Sequence, residues 1–220
     1  MTPVLRFVQA HAFELLLGIT VVLLFGYAWG RRRNLGLTRE VSALLEAVFD
    51  PEDKTYTWIG GLSGFRADFR LTSGWELHAT LVMRPWHSLL FLPFSLIFFG
   101  GDRLFIDLRG AALTSEEGHA VNASRRGLSP GFLPVPSEFP VAGESRLGEA
   151  RFTLLARNEA TLKWLRNHLD GLGNLRGSNP NSPALLLFTT FPEQEKIYLA
   201  LDPHAESLEE NLKRLVSALL

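Results

Sequence analysis

Six histidines are the side chains of this 220-residue chain best suited to proton transfer or metal binding near neutral pH: His11, His78, His87, His119, His168 and His204. A metal-assisted hydrolase fixes two ligands on one element, as in H-E-x-x-H or H-x-H, so that a third can complete the coordination. None of the six has such a neighbour. Cysteine is absent, which removes disulfides, thiolate catalysis and cysteine-ligated zinc, and a zinc site would need ligands from unrelated elements. No serine sits in a G-x-S-x-G turn, and no glycine run matches a phosphate-binding loop or a dinucleotide fingerprint. The paired carboxylates Glu116-Glu117 and Glu209-Glu210 read as solvated groups on a loop and on a helix face. The histidines therefore read as surface or structural residues. The chain reads as a non-enzyme with no metal or cofactor.

Charge narrows the partners. The whole chain carries 22 basic and 23 acidic groups, and before Arg31 the only charged side chains are Arg6 and Glu14. Residues 31–220 are thus near neutrality and lack the basic excess that holds a phosphate backbone, so nucleic acid is not an expected partner. At 46% hydrophobic and 20% charged, the composition suits one globular domain with its own core.

Residues 12–30, AFELLLGITVVLLFGYAWG, carry one charge, Glu14, near one end. Nineteen residues of helix span about 28 Å, close to the ~30 Å hydrocarbon thickness of a bilayer. Tyr27 and Trp29 mark the other end, where amphipathic rings favour the headgroup level, and Arg31, Arg32 and Arg33 follow. The segment reads as a single-pass transmembrane anchor. The arginine asymmetry places residues 1–11 outside and residues 31–220 in the cytosol. Two readings compete. Ala28-Trp29-Gly30 resembles a small-x-small cleavage site of a signal peptide, but three arginines directly after the cut oppose translocation. A buried core helix needs neither the arginine stop nor the aromatic pair. Asn122-Ala-Ser124 matches a glycosylation sequon, a chance match if the domain is cytosolic.

Beyond the anchor, apolar spacing predicts a helix over 37–49 capped by Thr38 and stopped at Asp50-Pro51. Strands are expected at 56–62, 65–71, 75–83 and 102–108, with Ser73-Gly74 a hairpin turn. Residues 110–148, rich in Gly, Pro, Ser and Glu, read as a long irregular surface loop. Then come a strand at 150–156, a helix at 159–172 capped by Asn158, strands at 184–191 and 196–201 joined through Pro192–Glu195, and a helix at 205–219. Mixed strands and helices with hairpins predict an α+β domain with a largely antiparallel sheet and about four helices.

Residues 86–101, WHSLLFLPFSLIFFGG, are apolar enough for a membrane but too short to span one. One reading is a core helix over 89–99 kinked at Pro93. The other turns Leu90, Phe91, Phe94, Ile97 and Phe98 outward, onto the membrane or onto a partner's transmembrane helix. The aromatics Trp58, Phe65, Phe69, Trp75, Phe91 and Phe94 leave a further alternative open, a membrane-tethered domain that binds a lipid or small apolar ligand in a cavity they line. Ordinary core is the commoner fate of such rings.

In this order of elements the chain resembles the calumin family, coiled-coil-domain proteins of the endoplasmic-reticulum membrane. The similarity lies in GYAWGRRRNLGLTREVSALLEAVF (26–49), in the strand and helix FTLLARNEATLKWLRNHLDGL (152–172), and in ALLLFTTF (184–191) followed by the last helix. It covers most of residues 12–220, and none of its motifs is catalytic. The family works beside the translocon, where it helps multi-spanning proteins insert and fold. The resemblance implies a non-enzymatic membrane-protein biogenesis factor that binds other membrane proteins, with Leu89–Phe99 the candidate contact. The host membrane would be the endoplasmic reticulum in a eukaryote or the cytoplasmic membrane in a prokaryote. The family's acidic lumenal region and long charged coiled coil have no counterpart in these residues, so calcium binding and ribosome contact are not carried over.

Overall fold

A computed structural model of the chain describes residues 3–98, 101–110, 116–122, 139, 141–147, 150–172, 176–179, 182–204 and 208–219. Helix α1 (Pro3–Ala10) turns at His11 into α2 (Ala12–Phe49), a single helix of 38 residues. At the usual rise it is about 57 Å long. The helix expected at 37–49 is a direct continuation of the apolar segment, without the N-cap expected at Thr38. Nothing in GRRRNLGL (30–37) forbids helix, and Thr38 caps nothing: it lies mid-helix with its hydroxyl toward the Met83 sulfur, 3.9 Å away. The stop at Asp50 holds. Asp50 takes the left-handed conformation (φ 41°), its amide donates to the Glu46 carbonyl, and Pro51 cannot continue the helix.

The two halves of α2 live differently. Its most apolar window has no buried residue, and among the described residues it is the one helix long and apolar enough to cross a membrane. From Gly30 onward the helix is buried at Asn34, Leu37, Thr38, Val41, Leu45 and Phe49, the three-to-four spacing of one face laid on a core.

That core sits against a nine-stranded antiparallel sheet. Its strands are β1 (Asp53–Ile59), β2 (Gly64–Arg70), β3 (Glu76–Val82), β4 (Arg103–Arg109), β5 (Gly118–Asn122), β6 (Val141–Leu147), β7 (Ala150–Ala156), β10 (Leu185–Phe191) and β11 (Lys196–Leu201). Their order is β1-β2-β3-β4-β11-β10-β5-β7-β6, while β8 (Arg176–Asn179) and β9 (Ser182–Pro183) pair as a separate ribbon. A short helix α3 (Leu92–Phe98) joins β3 to β4, α4 (Glu159–Leu172) follows β7, and α5 (Leu208–Leu219) ends the fold. The lower half of α2, α4 and α5 pack on one sheet face. Their apolar side chains, Val41, Leu45, Leu165, Leu169, Leu212 and Leu215 among them, join those of the strands in one cluster. The fold is α+β, as its pattern predicts.

One expected element is overturned. Residues 110–148 do not form one long loop, because they contribute β5 and β6, and β5 runs between β10 and β7 inside the sheet. GHAVN (118–122) has too little alternation to announce a strand, and its place comes from partners 34 and 68 residues away in register, as in Ala120 opposite Leu154 and Phe188. Asn122 is fully buried on β5, a position from which no glycan can project in this fold. The rest of that stretch, residues 111–115, 123–138 and 140, lies outside the described residues.

Candidate functional site

The site begins where the apolar half of α2 meets the sheet. Asn34 is buried at this junction, and its amide donates to the carbonyls of Leu62 (2.8 Å) and Arg84 (2.9 Å), tying the helix to the ends of two strand loops. One turn earlier, Gly30 lies under the backbone of Trp86 and His87, where a Cβ would overlap main-chain atoms. A further turn earlier, a Cβ on Gly26 would overlap the Leu89 side chain. The pair Gly26-x-x-x-Gly30 is therefore a notch in the helix, and the segment from Trp86 to Leu89 lies in it.

Aromatic and cationic groups close the notch. Trp29 meets Trp86 edge to face at 5.9 Å, Tyr27 meets His87 at 6.3 Å, and the Arg33 guanidinium lies 4.2 Å from the Trp86 ring centre. Arg31 and Arg32 point to solvent. Tyr27 and Trp29 are also exposed on their outer sides.

From the notch the chain turns into α3. Pro93 does not kink a longer core helix; it sits in the first turn of α3, where a missing amide costs nothing. Ser95 is fully buried, with its hydroxyl donating to the Leu92 carbonyl at 2.8 Å. The large apolar side chains face outward: Leu90 is 75% and Ile97 76% exposed, and Phe91, Phe94 and Leu96 are about half so. Phe91 and Phe94 stack on one another at 6.4 Å. Phe98 ends α3, and its side chain lies outside the described residues. A core helix over 89–99 would have buried these groups.

A polar neck holds the two ends of this loop together. The Arg84 amide donates to Asp102 Oδ1 at 2.7 Å, and His204 Nε2 lies 2.6 Å from Asp102 Oδ2. Burial acts to raise the Asp102 carboxyl, but the His204 and Arg84 hydrogen bonds, with the charges of His204 and Arg33, hold it below its usual range. The hydrogen bond to Asp102 raises His204 in return, against partial burial. These hydrogen bonds close the neck.

A second polar feature crosses the sheet, half-buried at Asp68 and His78 and fully buried at Thr189 and His119. Asp68, His78, Asp107, Tyr198, Thr189 and His119 stand in one register row across β2, β3, β4, β11, β10 and β5. An open groove of about 480 Å³ lies over part of this row, lined by Arg66, Asp68, His78, Asp107, Arg109 and Tyr198 among others. Asp68 holds His78 Nδ1 at 2.5 Å, and Asp107 faces Arg109 at 3.4 Å and Lys196 at 3.8 Å. Burial, with Asp107 beside it, pushes the Tyr198 phenol up to about 12, the opposite of an activated nucleophile. At the far end His119 is fully buried, with Nδ1 3.1 Å from the Thr189 hydroxyl. Burial lowers its pKa, with Glu117 working the other way. His168 stacks on Trp164 at 3.8 Å, a packing role. Among the described residues no group of three His, Asp or Glu is spaced to hold a metal ion.

The aromatics proposed to line a ligand cavity are dispersed. Phe65 and Phe69 are core, Trp75 packs against the core, Trp58 is exposed, Phe91 lies just before α3 and Phe94 on it. The site residues legible in the sequence are the arginines, Tyr27, Trp29 and the apolar groups of α3. Gly26, Gly30, Asn34, Asp102 and His204 were missed. The four-residue spacing of the glycines is a packing signal that sequence alone offers, whereas Asp102 and His204 are 102 residues apart. No family model matches the chain, and no curated protein matches it.

Proposed function

We propose that α2 anchors this protein in a membrane with residues 31–220 on the cytosolic side, and that its domain is a non-enzymatic scaffold for other membrane proteins. The observation that carries this reading is the outward-facing apolar surface of residues 90–97, which follows directly on the Trp86–Leu89 segment that lies against the candidate span just below three arginines. Exposed apolar patches of this kind mark interaction surfaces, and one beside a transmembrane helix suits the transmembrane helices of partners. Assistance to insertion and folding of multi-spanning proteins beside a translocon is the role the calumin resemblance adds. The test places a photoreactive residue at Phe94 in the full chain and translates multi-spanning proteins on membranes that contain it. Crosslinks to their newly inserted helices, lost in a Phe91→Ser/Ile97→Ser background whose circular dichroism is unchanged, are the expected result. Absence of crosslinks above those given by a probe at the exposed Arg39 would refute the scaffold reading. A rival role in binding a lipid or small apolar ligand would instead give crosslinks to that small molecule alone.

A further inference from the structure

We propose that residues 86–98 are a second membrane-inserted element, seated among the lipid acyl chains of the same leaflet that receives the arginine end of α2. The inference rests on α2 spanning the bilayer, and its geometry follows from the glycine notch. Trp86 lies at the level of Gly30 and Leu89 at the level of Gly26. Four helical residues are about 6 Å, so the chain descends toward the bilayer centre as it runs from Trp86 to Leu89. Arg31 is the first charged residue above the notch. Leu89 is therefore about 7.5 Å deeper than Arg31, already beside the apolar side chains of α2, and α3 starts three residues later. If α2 spans, Leu89 lies below the level of the arginines, and residues 90–98, which carry no Asp, Glu, Lys or Arg, continue from that depth.

The chemistry of the segment fits that depth. Between Arg84 and Asp102 there is no Asp, Glu, Lys or Arg. Five large side chains, Leu90, Phe91, Phe94, Leu96 and Ile97, are exposed. Together they present on the order of 500 Å², at the upper end of the patches monomeric proteins leave open. Lipid imposes a second requirement, since backbone polar groups must find partners within the protein. Here the amides of Trp86, Ser88, Phe91, Leu92 and Ser95 donate to carbonyls three or four residues back or closer, Pro93 has no amide, and the Ser95 hydroxyl bonds to Leu92. The non-helical start of the segment is covered by α2. At the level where the chain enters and leaves, the groups change character: Arg33 on Trp86, Arg84 and Asp102 joined, His204 on Asp102. Such a belt of aromatic rings and paired charges belongs at the headgroups. Lipid is the occupant because the patch follows directly on Leu89, which lies against the apolar half of α2 at Gly26, and shares the uncovered apolar character of that half.

The absence of cysteine makes the test direct. Single cysteines at Leu90, Ile97, Leu17 and Arg39 of the full chain carry a nitroxide, and the protein is reconstituted into phosphatidylcholine and phosphatidylglycerol vesicles. Collision with oxygen and with a water-soluble nickel chelate then reports immersion. Labels at Leu90 and Ile97 are expected to meet nickel roughly tenfold less often than the label at Arg39, while colliding with oxygen as often as the label at Leu17, because the polar chelate partitions out of hydrocarbon. Nickel access at Ile97 equal to that at Arg39, with Leu17 immersed, would overturn the inference and leave the anchor standing. Nickel access at Leu17 would overturn the anchor itself. Shielding of Leu90 and Ile97 from both oxygen and nickel would mean a protein neighbour instead of lipid, and would also overturn it.

Discussion

Adding one methyl group to α2 should have opposite effects at two glycines six residues apart. At Gly36 a Cβ meets nothing within 4 Å, so Gly36→Ala gains helix propensity alone, about 0.5–1 kcal/mol. At Gly30 the same Cβ overlaps the Trp86 carbonyl carbon and oxygen and the His87 amide nitrogen. Those are backbone atoms and cannot rotate away. The loop must lift from the helix, and overpacking of that kind costs about 1–3 kcal/mol, which outweighs the propensity gain. Lifting the loop also separates Trp29 from Trp86 and draws Arg33 off the Trp86 ring. For a chain of this size each kcal/mol moves the melting temperature by about 2–4 °C. Gly36→Ala is expected to raise the Tm by a few degrees and Gly30→Ala to lower it by a similar or larger amount. Both are read by circular dichroism of the full chain in lipid nanodiscs, with tryptophan emission of Gly30→Ala shifted and that of Gly36→Ala unchanged. If the two variants move the Tm in the same direction, the close approach of residues 86–87 to α2 is wrong, and with it the depth assigned to α3.

The remaining predictions concern the same junction. Asn34→Ala removes the buried amide that donates to the half-buried Leu62 and Arg84 carbonyls; it should cost about 2 kcal/mol, while exposed Arg39→Ala stays within ~0.5 kcal/mol, both by chemical denaturation in micelles. His204→Asn removes the partner that helps keep Asp102 ionised, and the loss should depend on pH. Asp102 is lowered on folding, so its contribution is present above about 3.8 and fades as pH falls through its lower folded value. His204 is raised, so its contribution is full below about 6.5 and fades as pH rises through its higher folded value. The Tm difference between wild type and His204→Asn should therefore be largest between pH 4 and 6.5. A difference that grows above pH 7 would refute the pairing.

What the sequence discloses here is what local chemistry determines. The helix at 159–172 has the expected ends because Asn158 caps it with its own side chain, Oδ1 accepting from the Thr161 amide at 2.8 Å. Strands β7, β10 and β11 are legible from β-branched and alternating apolar residues, and the sharp stop at Asp50-Pro51 from proline. The elements that escaped depend on distant partners. β5 is a strand because β7 and β10 flank it. His78 and His119 stand in one row, with β4, β11 and β10 between them in the sheet, although of these only β4 lies between them in sequence, since register is set by pairing and not by spacing. Pro93 was legible as a breaker, but only the fold tells a helix start from a kink. The apolar run at 89–99 was ambiguous because hydropathy cannot distinguish protein interior from lipid; neighbours decide, and its neighbour is the glycine notch of α2.

Continuity of α2 gives that notch its consequence. Had a flexible linker joined anchor and domain, the exposed residues of α3 could sit at any height or angle, and their depth would carry no meaning. Instead the helix that holds the apolar window is the one whose far half is packed into the core at Leu37, Val41, Leu45 and Phe49. Asn34 adds a polar clamp to the loop after β1 and the end of β3, so those strand ends are fixed toward the apolar half. If α2 spans a bilayer, the sheet stands with one end of β2, β3 and β4 toward the headgroups. Its polar row at Asp68, His78 and Asp107 lies four residues further along, which is about 13 Å of strand. A partner helix that packs on α3 within the leaflet would send its flanking residues toward that open polar face, at a distance the rigid helix fixes in advance. If the apolar half of α2 is an anchor, it is also a ruler, because the same rigid helix is packed into the core of the domain.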